Sequence, residues 1–420
     1  MGQTVKDRHG NCAPRGSRAR QGAKEMNRPR ARELGIDIGI FNQGSHNAIT
    51  DVPGVAVGSA TLIEGEGPLV PGKGPVRTGV TVVLPHGGNL FREKVQAGCF
   101  VLNGFGKSAG LHQIRELGTI ETPIALTNTL NVSAVADALV ERSCAASPEI
   151  GIGTGTVNPV VGDINDGYLN DIQGRHVKKE HVFAALAAAK GGPVAEGNVG
   201  GGTGCSCLGF KGGIGGSSRV LPARLGGWTV GVLAQTNFGG MLTVNGAPVG
   251  RELGVYDFAP PTKVAPPAAP RSETVIAGDG SCMIVIATDA PLDARLLTRV
   301  ARRAGLGMAR TGFYSSNGSG DFFIAFSTAN RLPHLGSARL DGARLHERTV
   351  VADDDMSAIF AATVEAVEES VINSLLAAET MTGRDGNLRR ALDPGELVTI
   401  LDKYNARGWA KKLPPFGNPD

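Results

Sequence analysis

The residues predict a mixed α/β fold in two halves, and three observations carry that prediction. Short apolar runs alternate with stretches of helical periodicity along most of the chain. The 61 glycines among 420 residues follow no fixed period and often sit beside Val, Ile, Leu or Thr. That pattern marks tight turns and close backbone approaches rather than a fibrous repeat. Five prolines crowd into APPTKVAPPAAP at 259–270, which cannot continue a helix or a central strand and reads as an extended, exposed connector between the halves.

Before the connector, strands are expected at 55–62, 79–84 and 99–102, with a helix at 108–117. An extended segment at 123–126 leads into an Ala-rich helix at 132–146, opened near Asn131. A strand at 158–161, a helix at 181–189 and strands at 208–210, 218–221 and 228–235 follow, joined by glycine-rich turns. Beyond the connector, the charge-free SCMIVIA (281–287) reads as a strand and 296–304 as a helix, with a further strand at 321–326. In the helix expected over 355–381, Phe360, Val364, Val367, Val371 and Leu375 recur at helical spacing, and Gly383 is placed to cap it. The triple acid Asp353–Asp355 suits a helix N-terminus better than a metal site.

The bulk numbers exclude several function classes. Residues 1–32 hold nine Lys/Arg against Asp7 and Glu25, so the rest carries 33 basic and 37 acidic residues. The basicity therefore belongs to a tail, expected to be disordered over 1–32, and the body offers no basic patch for nucleic acid. No secretory h-region and no apolar stretch long enough for a membrane span occurs. The six cysteines form neither a zinc pattern nor a disulfide framework, which points to a reducing cytoplasmic location. No metal or cofactor is implied.

Familiar catalytic motifs fail one by one. Gly104-Phe105-Gly106-Lys107-Ser108 lacks the glycine a phosphate loop needs at position 101, where Val101 stands. No serine sits in a G-x-S-x-G elbow, and the eight histidines form no close pair. Gly280-Ser281 is left. A chain-terminal α-amine, titrating near about 7.7–8.0, can activate a hydroxyl without histidine, and an internal serine acquires one if the preceding peptide bond breaks. Glycine before the serine leaves its carbonyl open to attack. On pattern alone, Gly-Ser ahead of a strand is more often a turn. YSSNGSGD (314–321) brings Ser319 and Asp321 together in a tight polar turn, for which a hairpin loop is the commoner reading. VGDINDGYLND (161–171) would suit an amine or a cation, and equally an Asx-turn loop.

These segments together resemble the DmpA/β-peptidyl aminopeptidase family of self-processing peptidases. The likeness runs from about residue 33 to 405, through NAITDVPGVAVG (47–58), ELGTIETPIALTNTLNV (116–132), GYLNDIQGRHV (167–177), EGNVGGGTGCSCLGFKGGIG (196–215), VGVLAQTNFG (230–239), SCMIVIATDAPL (281–292) and NGSGDFFIAFST (317–328). The resemblance implies a four-layer αββα sandwich forming one hydrolase domain over 33–420. It would be cut between Gly280 and Ser281 into an α-chain ending at 280 and a β-chain of 281–420, and assembled as a homotetramer. Ser281 would be the nucleophile, oriented by Ser319 and Asp321. The side-chain amide of Asn237 and the backbone N–H of Asn165 would face the oxyanion, and Asp163 would hold the substrate's free amine. The implied partner is a small peptide or an aminoacyl amide or ester.

Two positions depart from the family pattern: Asp163 stands where glutamate is expected, and Lys107 replaces an acid in GFGKSAG (104–110). An acyltransferase of the ornithine-acetyltransferase type, which cleaves before threonine, is the first alternative. An uncleaved, non-catalytic binding or assembly protein is the second.

Overall fold

The computed structural model describes residues 28–260, 280–334 and 347–414. The proline-rich connector from residue 261 and tail residues 1–27 lie outside the described residues.

In chain order the strands are β1 (Ala56–Glu64), β2 (Val76–Leu84), β3 (Glu93–Gly104), β4 (Thr119–Ile120), β5 (Ile124–Asn128), β6 (Val160–Ile164), β7 (Ser206–Cys207), β8 (Phe210–Lys211), β9 (Ile214–Val220), β10 (Thr229–Asn237), β11 (Ser281–Thr288) and β12 (Gly320–Pro333). The helices are α1 (Leu111–Leu117), α2 (Val132–Ala146), α3 (Lys179–Ala188), α4 (Val249–Glu252), α5 (Ala294–Arg310) and α6 (Met356–Ala377). A four-stranded sheet runs β1-β2-β5-β6, and a six-stranded sheet runs β4-β3-β12-β11-β10-β9.

The two sheets pack face to face. Leu126 and Val160 from the first meet Leu233, Met283, Val285, Phe322 and Ile324 from the second in one buried cluster. Helices α2 and α3 cover the outer face of the first sheet through Val135, Leu139, Val182 and Ala185. Helices α5 and α6 cover the second through Leu297, Val300, Val367 and Val371. The layers are therefore αββα, the sandwich the resemblance implies.

Strand β11 shows why the sequence signal was a run without charges. Met283, Val285 and Ala287 face the other sheet, while Cys282, Ile284 and Ile286 face the helices. A strand with both faces buried has no solvent side on which polar residues could alternate. Beside it, β12 runs parallel, with Ser281 level with Gly320, while β10 runs antiparallel, with Asn237 level with Ser281. The ends of three strands thus meet at Ser281.

Three expectations are corrected. Gly383 does not cap α6, which ends at Ala377 and is followed by Ala378 in an extended conformation. Gly383 instead lies against the Leu169 backbone, too close for any side chain. Leu208, read as strand, has φ of 51° and turns the chain between β7 and β8. The segment 314–321 is no hairpin, because it joins α5 to β12, which pairs parallel to β11.

The last residues assigned to the tail are also packed. Arg28 donates to the carbonyls of Leu376 (2.5 Å) and Leu392 (2.6 Å), Ala31 is fully buried, and Arg30 and Arg32 pair with Glu196 and Glu369. At the acidic triplet, no side chain caps the helix, and Asp353 instead pairs with Arg295 (2.6 Å). No group of three or more metal-ligating side chains occurs among the described residues.

Candidate active site

Ser281 begins β11 and is 3% exposed. Its hydroxyl donates to the carbonyl of Gly280 at 2.6 Å, so it lies directly against the peptide group that precedes it. The same carbonyl accepts the Gly320 N–H at 3.2 Å, and that N–H also approaches Ser281 Oγ at 3.3 Å. A Cβ on Gly280 would come within 2.7 Å of the Phe238 Cα, so only glycine fits here. The arrangement holds a hydroxyl beside a carbonyl whose oxygen is already polarised by an N–H donor.

Ser319 and Asp321 flank Gly320. Ser319 Oγ donates to Asp321 Oδ1 (2.6 Å) and Ser315 Oγ to Oδ2 (2.7 Å). Burial pushes the Asp321 carboxyl above its ordinary range, and the two donated hydrogen bonds pull the other way. Asn103, from β3, ties the turn down by donating to the carbonyls of Ser316 (2.9 Å) and Ser319 (2.5 Å).

On the other side, Asn237 closes β10. Its Oδ1 accepts the Ser206 N–H (2.8 Å), which orients the amide, and its Nδ2 donates to the Asn165 carbonyl (3.0 Å). An amide nitrogen carries two hydrogens, so one remains beyond the Asn165 contact, on a residue level with Ser281. The expectation for Asn165 concerned its N–H; the contact present is through its carbonyl. The glycine-rich segment carrying Ser206 is pinned from below by Lys211. This fully buried amine donates to the carbonyls of Gly212 (2.6 Å) and Gly202 (3.3 Å), and burial lowers it to about 8.

Asp163 lies on β6, in the facing sheet, and is fully buried. Its Oδ1 accepts from the Lys107 N–H (2.9 Å) and Ser108 Oγ (2.8 Å), while Oδ2 has no hydrogen-bond partner. A buried carboxylate oxygen left unpaired is costly, which makes it a natural seat for an amine. The loop bearing Lys107 lies against the Ser319–Asp321 turn: a Cβ on Gly320 would stand 2.9 Å from the Gly106 Cα. The Lys107 ammonium itself lies over the Phe105 ring at 4.7 Å, a contact worth about 0.5–1 kcal/mol at an exposed site.

The four buried cysteines among the described residues are poor alternative nucleophiles. The thiols of Cys99 and Cys205 are pushed by burial to about 11 and about 12, and those of Cys207 and Cys282 also rise, so none ionises near neutrality. No histidine among the described residues hydrogen-bonds to Ser281, Ser319 or Asp321; His86 and His176, for instance, bond to Glu93 O and Asp171.

The structure thus gathers Ser281, Ser319, Asp321, Asn237, Asn165 and Asp163 around one point. Sequence reasoning missed Asn103, Ser206, Ser315 and Arg389. Ser206 and Ser315 were inside segments singled out for other residues. Arg389, which donates to Ser206 Oγ (2.9 Å) and lies 3.6 Å over the Tyr168 ring, carried no signal at all.

A buried serine at the head of a strand in an αββα sandwich, with no histidine partner among the described residues, is the arrangement expected of an N-terminal-nucleophile hydrolase. Comparison with known proteins narrows this further. The profile of peptidase family S58 matches residues 47–389. A β-peptidyl aminopeptidase, BapA, of Sphingosinicella microcystinivorans is 45% identical over 392 residues, covering 93% of this chain and 96% of that protein. Among solved structures, a β-aminopeptidase of a Burkholderia species is similar with a TM-score of 0.78 and 44% identity, over 89% of this chain and 99% of the other. The L-aminopeptidase D-Ala-esterase/amidase of Ochrobactrum anthropi, described as a variant of the Ntn hydrolase fold, has a TM-score of 0.79 and 38% identity, over 90% and 99%. The chain belongs to peptidase family S58. It is an enzyme of the peptidase/amidase class, and neither the acyltransferase nor the non-catalytic alternative is favoured.

Proposed function

We propose that the chain is a self-processing serine aminopeptidase that releases small N-terminal residues, β-amino residues included, from peptides, amides or esters. The observation that carries this reading is Ser281 Oγ lying 2.6 Å from the carbonyl oxygen of Gly280, with the Gly320 N–H on the same oxygen. Attack of the hydroxyl on that carbonyl carbon would give an ester, and its hydrolysis would free Ser281 as a new N-terminus. The α-amine, titrating near about 7.7–8.0, then takes the hydroxyl proton in each turnover. Ser319, held by Asp321, orients the nucleophile. The free hydrogen of Asn237 Nδ2 meets the developing oxyanion, with the Asn165 backbone as second contributor, and Asp163 Oδ2 takes the substrate ammonium.

In this reading 33–420 is one hydrolase domain in two chains, assembled as a cytoplasmic homotetramer; light scattering on the purified protein tests the assembly. Mass spectrometry of the denatured protein tests the processing. Two fragments are expected, one ending at Gly280 and one beginning at Ser281, together with hydrolysis of β-alanyl p-nitroanilide. An intact, inactive chain would refute the reading.

Asn237→Ala should raise the barrier by about 2.7–4 kcal/mol, as loss of an oxyanion donor does elsewhere. The loss should fall on kcat with KM little changed, because the oxyanion exists only in the transition state. A rise in KM at constant kcat would instead assign Asn237 to ground-state binding.

A further inference from the structure

Lys107 supplies two different things to the site. Its backbone N–H holds Asp163 Oδ1 at 2.9 Å, and its side chain carries a full charge on a flexible four-carbon stem that starts from the same residue. That ammonium rests over the Phe105 ring, itself 59% exposed, a weak contact from which it is readily drawn away. A cation whose stem starts this close to an amine-binding carboxylate can swing from the exposed ring toward it, and there it would disfavour a substrate that brings an ammonium alone. A substrate bringing an ammonium and a carboxylate side by side satisfies both groups, since the carboxylate can take Lys107 from the weak ring contact while the ammonium takes Asp163 Oδ2.

We propose that this enzyme prefers an N-terminal residue bearing a carboxylate on the amine-bearing carbon, namely a β-aspartyl residue, with Lys107 as the specificity-determining residue. The proposal rests on the aminopeptidase reading above and names the substrate of that same site. In a β-aspartyl residue the ammonium and the carboxylate share one carbon, and the acyl carbonyl lies one methylene away. In an ordinary N-terminal α-aminoacyl residue the amine-bearing carbon carries the scissile carbonyl instead, so no anion is offered there. The chemistry is the same hydrolysis: Ser281 Oγ bonds to the acyl carbon, the C–N bond breaks and the leaving amine takes a proton. Water then cleaves the ester and releases aspartate. The loop geometry favours this assignment, because the N–H that fixes Asp163 also fixes where the Lys107 side chain begins, at the amine end of the substrate.

The test compares kcat/KM for three p-nitroanilides: β-aspartyl, its neutral isostere with the α-carboxylate as carboxamide, and β-alanyl. The wild type should favour β-aspartyl over the carboxamide by about tenfold or more, the size of one hydrogen bond to a charged group. Lys107→Met should bring that ratio near one, and Lys107→Glu below one. The backbone N–H survives both changes, so the ratio reads the side chain alone. β-Alanyl turnover with no preference for β-aspartyl, or a ratio unmoved in the variants, would overturn the proposal and leave the aminopeptidase standing. Absence of turnover on all three would overturn both.

Discussion

Ser281→Ala should leave one uncut chain of 43.3 kDa and lower kcat by a factor on the order of 10⁶, the loss seen when a serine nucleophile is removed from an enzyme whose other groups are intact. Both effects are expected because, in the proposed mechanism, the same hydroxyl serves two reactions. In the unprocessed chain it lies 2.6 Å from the Gly280 carbonyl oxygen, and after cleavage it would meet substrate carbonyls at that place. Alanine removes the hydroxyl without disturbing β11, whose eight residues are all buried between sheet and helices. A folded, single-chain variant is therefore the expected product, not an aggregate. Circular dichroism and a denaturing gel check the first half, and initial rates on β-alanyl p-nitroanilide check the second. A variant still cut at Gly280, or one within about tenfold of the wild-type rate, would place the nucleophile elsewhere. Ser281→Thr keeps a hydroxyl and is expected to retain cleavage, which separates loss of chemistry from loss of structure.

Much of this site was legible before any coordinates because its residues fall in short segments. Ser281 opens a run with no charges, and Ser319 and Asp321 lie two residues apart in one turn. Helix α2 matched its expected bounds of 132–146, since its periodicity is uninterrupted. The groups that orient the site were not legible, because they arrive from distant strands. Asn103 reaches the Ser319 carbonyl across 216 positions, and Arg389 reaches Ser206 across 183. No local pattern encodes such pairs. The misplaced cap at Gly383 and the misread Leu208 share a cause: tertiary packing decided conformations that local propensity left open. The tail was over-extended for a different reason. Arg30 and Arg32 look like surface charge in sequence, and only the fold reveals their partners, the half-buried Glu196 and the buried Glu369.

Those partners lead to the second large effect. Arg219 is fully buried, with Nε 3.1 Å from Glu365 Oε2 and Nη2 2.7 Å from Glu369 Oε2. Its remaining hydrogens go to Ser217 Oγ, Ser218 O and Ile38 O, while Arg32 (2.8 Å) and Asn47 (2.6 Å) complete the shell of Glu369. If the chain is cut at Gly280, every cation here lies on the first fragment and both acids lie on helix α6 of the second. The network then joins two chains no longer linked by a peptide bond. Arg219→Met should destabilise the protein by about 3–5 kcal/mol, because it leaves two buried carboxylates short of their cation. Urea denaturation with the slope held comparable measures this, and a loss under about 0.5 kcal/mol would refute it. Arg219→Met combined with Glu369→Leu should lose less than the two single changes together, since the unpaired charge goes with it. The pH dependence has a definite sign. Burial alone would raise the Glu369 carboxyl, but the guanidinium groups of Arg219 and Arg32 hold it below its usual value. Its stabilising contribution is therefore fully present above the unfolded glutamate value of about 4.3 and is lost as pH falls through the lower folded value. Acid should loosen the wild type over that window. In Arg219→Met the window should shift upward toward the ordinary value, because the larger of the two opposing cations is gone.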